Sequence, residues 1–81
     1  MYKGLSVATH RVVGTKQVVR LVKEKKAKMV FIAEDADEHI RQKIIAVCKQ
    51  HDIEISFIPS MFELGTYCNI DVAAATAATV I

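Results

Sequence analysis

The sequence predicts an α/β protein, a three-layer α/β/α sandwich built on a four-stranded mixed β-sheet. Short apolar runs of strand length alternate along the chain with stretches whose apolar residues recur at helical spacing, an order that lays helices against a sheet. Composition points the same way. Apolar residues make up 52% of the chain and aromatic residues 6%, with no Trp. The core must therefore come from Val, Ile, Ala and Leu, small aliphatics that suit a sheet covered by helices. At 81 residues the apolar surface suffices for one core, so residues 1–81 are read as a single domain.

The elements follow in order. A weak N-terminal segment is read as a short helix. Arg11-Val12-Val13 is a brief strand that Gly14 breaks. Thr15 is expected to cap a helix running to about Lys26. The unbroken apolar run MVFIA, residues 29–33, marks a strand buried on both faces. The next stretch, EDADEHIRQKIIAVCKQHD, opens with acids that favour the positive end of a helix. It then places Ile40, Ile44, Val47 and Cys48 at the spacing of one helical face.

IEISFI is the third strand, and PSMFELG begins a helix in which Pro59 precedes a Ser60–Glu63 capping box. After a turn at NIDV, the chain ends in AAATAATVI. Ala would permit helix there, but Thr76, Thr79, Val80, Ile81 and the alternating order favour a strand. Gly65 is either a helix stop or a point of close approach by the neighbouring loop or by a ligand, with the stop favoured. Met61 and Phe62 are read as packed or partly exposed, without a binding role.

Charge is unevenly distributed. The net charge is only +2, yet residues 11–28 hold seven bases against one acid, a net of +6, while the remainder holds four bases and eight acids. A basic first third on an otherwise acidic chain suggests a side that faces a polyanion; a merely solvated lysine face is the alternative. No segment approaches the roughly 18 apolar residues of a membrane span, and the N-terminus lacks a hydrophobic signal core. A soluble, cytoplasmic protein without a membrane partner is expected.

Other constellations are bland. Cys48 and Cys68 lack metal spacing and are read as small buried hydrophobes. His10, His39 and His51 are not at ligand spacing either; His51 is expected to end its helix. Glu34, Asp35, Asp37 and Glu38 follow a buried strand, where carboxylates can hold Mg²⁺, but Asp35 or Asp37 serves equally as a helix N-cap and that reading is preferred. No nucleophile–base pair emerges from spacing. The chain is thus read as non-enzymatic, with no cofactor and no metal.

The informative segment is GTKQVVR. On a helical wheel Val18, Val19, Leu21 and Val22 fall in one apolar arc, and Lys16, Gln17, Arg20, Lys23 and Glu24 lie opposite. Lys16, Arg20 and Lys23 form a basic stripe beside Gln17, next to the helix's first backbone N–H groups, which lack intrahelical acceptors. Lys can donate to guanine O6 and N7, Gln can pair twice with adenine, and Arg can clamp phosphate. Gly14 lets a ligand approach the turn closely. The nucleotide-binding pattern GxxxxGK[ST] is absent, which excludes a P-loop.

The series GTKQVVR, AKMVFIAEDAD and IPSMFELGTYCNIDVAAA resembles the kink-turn-binding ribosomal protein family of the L-seven-Ae type from about Arg11 to Ile81. Its short bacterial members are the most similar, since they carry Lys-Gln where archaeal and eukaryotic members usually have Asn-Glu. The resemblance implies a non-catalytic protein that stabilises RNA bent sharply beside tandem sheared G·A pairs, with the ribosome as a possible setting. Gly14, Thr15, Lys16, Gln17 and Arg20 would face those pairs. Ile70 and Val72 would pack against nucleotides splayed from the bend, and Asp71 would stay polar. A monomer is expected. The rival reading is a protein-interaction module of the same fold.

Overall fold

The computed structural model describes residues 11–68, 70 and 72–80. The expected N-terminal helix, His10, Asp71 and Ile81 lie outside the described residues. The elements run β1 (Arg11–Val13), α1 (Thr15–Lys23), β2 (Ala27–Ala33), α2 (Glu38–Gln50), β3 (Glu54–Ile58), α3 (Met61–Tyr67) and β4 (Thr76–Val80). The sheet order is β1-β4-β2-β3. β4 pairs antiparallel with both β1 and β2, whereas β2 and β3 are parallel and joined through α2. A parallel pair needs such a crossover because its strands start at the same end of the sheet. The mixed four-stranded sandwich is the predicted one.

Side-chain alternation along β2 divides the core between the two faces of the sheet. Val30 and Ile32 join Val18, Val22, Ile44, Cys48 and Ala78 beneath α1 and α2. Phe31 and Ala33 join Ile58, Leu64, Cys68 and Ala77 beneath α3. Both cores are built mainly from aliphatics, with one thiol in each and Phe31 in the second. Ala77 and Ala78 are fully buried on opposite faces of β4, so the alanine-rich end of the chain is a central strand.

Two details of α1 differ from expectation. Gly14 takes the N-cap position at φ +115°, ψ +140°, a conformation open to glycine because it lacks Cβ. Thr15 is consequently the first helical residue, and its hydroxyl lies 3.2 Å from that of Thr76 instead of capping the helix. The helix also ends at Lys23, three residues early, because Lys25 adopts φ +60°. Lys26 N–H then bonds the Leu21 carbonyl and Lys25 N–H the Val22 carbonyl, the paired bonds of a Schellman stop. α2 stops in the same way, with Asp52 at φ +58° and Ile53 N–H donating to the Cys48 carbonyl.

Candidate nucleic-acid interface

The start of α1 carries most of the predicted site. Val18 N–H donates to the Gly14 carbonyl at 2.9 Å, closing the first helical turn. No side chain caps the helix start, so its first N–H groups stay available to an outside acceptor. Val18 and Val22 are fully buried, Val19 and Leu21 are half-buried, and Lys16, Gln17, Arg20 and Lys23 are exposed. The amphipathic wheel is thus realised. Burying the valines turns the basic stripe outward along the whole helix.

The second segment is the connection from α3 to β4. Arg11 Nε donates to the Cys68 carbonyl at 3.0 Å, tying the connection's start to β1. Ile70 N–H donates to the Gly65 carbonyl and Ala74 N–H to the Met61 carbonyl, holding it against α3. Ala33 N–H donates to the Ala75 carbonyl, joining it to the end of β2. Ile70 is half-buried against the core beneath α3, while Val72 is 68% exposed.

Thr76 brings the two segments together. Its carbonyl accepts from Gly14 N–H at 3.1 Å and its hydroxyl meets that of Thr15. Segments about 60 residues apart in sequence therefore emerge side by side from one end of the sheet. Of the predicted residues, Gly14, Thr15, Lys16, Gln17 and Arg20 lie on the helix side, and Ile70 and Val72 on the loop side.

Gly65 explains how the loop lies so close to α3. It is buried inside the helix, and a Cβ there would collide with the Val72 carbonyl oxygen and lie 3.1 Å from the Val72 carbonyl carbon. Close approach is the operative cause and the favoured helix stop is not, since α3 continues to Tyr67. The only signal available earlier was the glycine itself, placed where a helix would favour Ala.

Two acids of the cluster accept from helix-start N–H groups. Asp37 Oδ1 accepts from His39 N–H at 2.8 Å at the start of α2, and Asp35 Oδ1 accepts from Met61 N–H at 2.7 Å. Ser60 caps α3 by accepting from Glu63 N–H. Among the described residues no three His, Cys, Asp or Glu side chains are grouped to hold a metal ion, and no helix is long and apolar enough to cross a membrane. Cys48 and Cys68 are free and buried. Burial pushes both thiols above their ordinary range, with the Arg11 guanidinium pulling Cys68 partly back.

Fold and site define a small α/β/α sandwich of the ribosomal-protein type that presents a helix start beside a loop. The chain belongs to the ribosomal protein L7Ae/L30e/S12e/Gadd45 family, whose model matches residues 3–81. An RNA-binding protein of Caldanaerobacter subterraneus subsp. tengcongensis is 51% identical over 71 residues, 88% of this chain and 87% of that protein. RNA-binding protein YbxF of Geobacillus stearothermophilus is 39% identical over 77 residues, 95% of this chain and 94% of the relative. Among solved structures, the 15.5kD RNA binding protein of Giardia lamblia superposes with a TM-score of 0.86 at 29% identity, covering 98% of this chain and 66% of that one.

Proposed function

We propose that this chain is a non-catalytic RNA-binding protein that recognises and stabilises kink-turn or similarly bent RNA, acting in or near the ribosome. The carrying observation is the convergence at Thr76 of an uncapped, basic helix start and a partly apolar loop. Relatives that match over most of their length are named for RNA binding, which supports the same class of ligand.

The chemistry divides between the two sides. An ordinary A-form duplex keeps its base edges in a deep, narrow major groove that side chains do not read. A sharp bend opens that groove, and a helix end can then enter. Lys16 and Gln17 would donate and accept at the edges of the G·A pairs, and Arg20, one turn on, would clamp phosphate. Gly14 and Thr15 form the floor of the approach. Ile70 and Val72, with Asp71 between them, would cover nucleotides displaced by the bend. Contacts made only to the bent conformer shift the RNA population toward it.

Titration of a kink-turn RNA, alongside the same RNA with its G·A pairs replaced by Watson–Crick pairs, tests the reading. Tighter binding to the kink-turn is expected, with affinity falling steeply as salt rises because phosphate contacts release counterions. Equal affinity for both RNAs would refute shape recognition. Binding without salt dependence would instead favour a protein-interaction module.

A further inference from the structure

We infer that Phe62 extends the proposed interface as a stacking platform for an unpaired RNA base; the inference rests on the RNA reading above. Phe62 is 77% exposed on a helix whose other side is buried. Among the described residues only Phe57, Phe62 and Val72 are exposed large hydrophobics. Phe57 belongs to edge strand β3, whereas Phe62 and Val72 belong to α3 and the loop laid against it.

Helical geometry puts Phe62 on the loop's side of α3. Leu64, Gly65 and Cys68 are buried, with Met61 and Tyr67 packed beside them, which leaves Phe62, Glu63 and Thr66 on the outer arc. At 3.6 residues per turn Phe62 lies about 60° around the helix from Gly65, and Glu63 about 160°. Gly65 is the residue over which the Val72 carbonyl passes. The ring therefore borders the loop, and two exposed apolar side chains flank one backbone contact.

The size and charge of this patch select its occupant. Two side chains are far too few for a specific protein interface, which buries about 800 Å² on each partner. A nucleobase needs only one ring face. Exposed Glu63 next to Phe62 repels phosphate, so the group placed here is a base and not the sugar-phosphate backbone. Arg20 and Lys23 of α1, beyond Thr76, would track the backbone, giving the pairing of aromatic face and cationic groove by which proteins hold unpaired nucleotides.

The test uses a kink-turn RNA carrying fluorescent 2-aminopurine at the unpaired nucleotide of the bend, and a second RNA abasic at that position. Phe62→Ala is expected to weaken binding to the first RNA by about 5- to 100-fold, the worth of one base–aromatic stack, and to relieve quenching of the fluorophore. Phe62→Tyr should retain both, and Phe62→Leu, apolar but without a π face, should lose both. On the abasic RNA wild type and Phe62→Ala should bind alike. Equal affinity of wild type and Phe62→Ala for the first RNA overturns the inference, as does an undiminished difference on the abasic RNA. A wild type that prefers the kink-turn over its Watson–Crick control while Phe62→Ala is unchanged defeats this inference alone. Loss of that preference with Phe62→Ala still weakened defeats the kink-turn reading alone.

Discussion

Replacing Gly65 by Ala offers a sharp test of how the loop is held. Elsewhere in a helix interior the change would stabilise by about 1 kcal/mol, because Ala restricts the unfolded chain and favours helix. Here the new Cβ meets backbone on the far side: the Val72 carbonyl oxygen within contact, the Val72 carbonyl carbon at 3.1 Å and Ala73 Cα at 3.3 Å. Comfortable carbon–carbon separation is about 3.5–4.0 Å. No side chain can swing aside, so the loop itself must retreat. Its retreat is opposed by the bonds from Ile70 N–H to Gly65 and from Ala74 N–H to Met61. Losing both costs about 2 kcal/mol at about 1 kcal/mol each, and residual overpacking adds about 1 kcal/mol.

Against the helix gain, the net expectation is a loss of about 2 kcal/mol. Urea denaturation should show a lower midpoint with unchanged slope. RNA affinity should fall as well, because the displaced loop carries Ile70 and Val72. A Gly65→Ala protein as stable as wild type, or more so, would refute the reasoning, since the propensity gain would then stand unopposed.

Other expectations follow from single contacts. Lys16→Ala and Arg20→Ala should each weaken RNA binding by about 1–3 kcal/mol, the worth of a base or charge-assisted contact; unchanged binding in both would reduce the stripe to a solvated face. Arg20→Ala should also flatten the salt dependence by about one counterion. Gly14→Ala must hold a φ of +115° and should lose about 1–3 kcal/mol of stability, read as a lowered denaturation midpoint. Ser60→Ala should lose about 1 kcal/mol by uncapping α3, measured in the same assay.

The two thiols give a pH dependence. Burial raises both in the folded chain, so the unfolded chain ionises first as pH rises. Stability should be full below the ordinary thiol value and decline above it. Denaturation midpoints followed from neutral to alkaline pH check this, and a midpoint that does not fall would contradict it.

What was legible in advance was local. The apolar arc of Val18, Val19, Leu21 and Val22 and the opposed Lys16, Gln17 and Arg20 follow from a 3.6-residue period, which every helix of this sequence must obey. The capping roles of Asp37 and Ser60 are equally local, each spanning two or three residues. Where local signals conflicted, position in the sheet decided. The alanines of residues 73–78 favour helix by propensity, but β4 is a central strand pairing on both sides. There small side chains let helices close on both faces.

The reach of α1 illustrates the limit of pattern. Charged residues continue past Lys23 through Glu24, Lys25 and Lys26, and the stop comes from a left-handed residue, Lys25, with no glycine to announce it. Of the two acids that pattern offers as the cap of α2, Asp37 takes the role, while the Asp35 carboxylate serves Met61, 26 residues away.

By itself, the sequence determined the class of fold, the order of its elements and the face of α1 that meets solvent, because periodicity and turn chemistry act over a few residues. Tertiary structure alone decided that Gly14 and Thr15 meet Thr76 at the end of the loop before β4, that the Val72 carbonyl passes over Gly65, and that Asp35 serves Met61. Those facts depend on backbone groups meeting across long stretches of chain, and no short-range pattern encodes such a meeting.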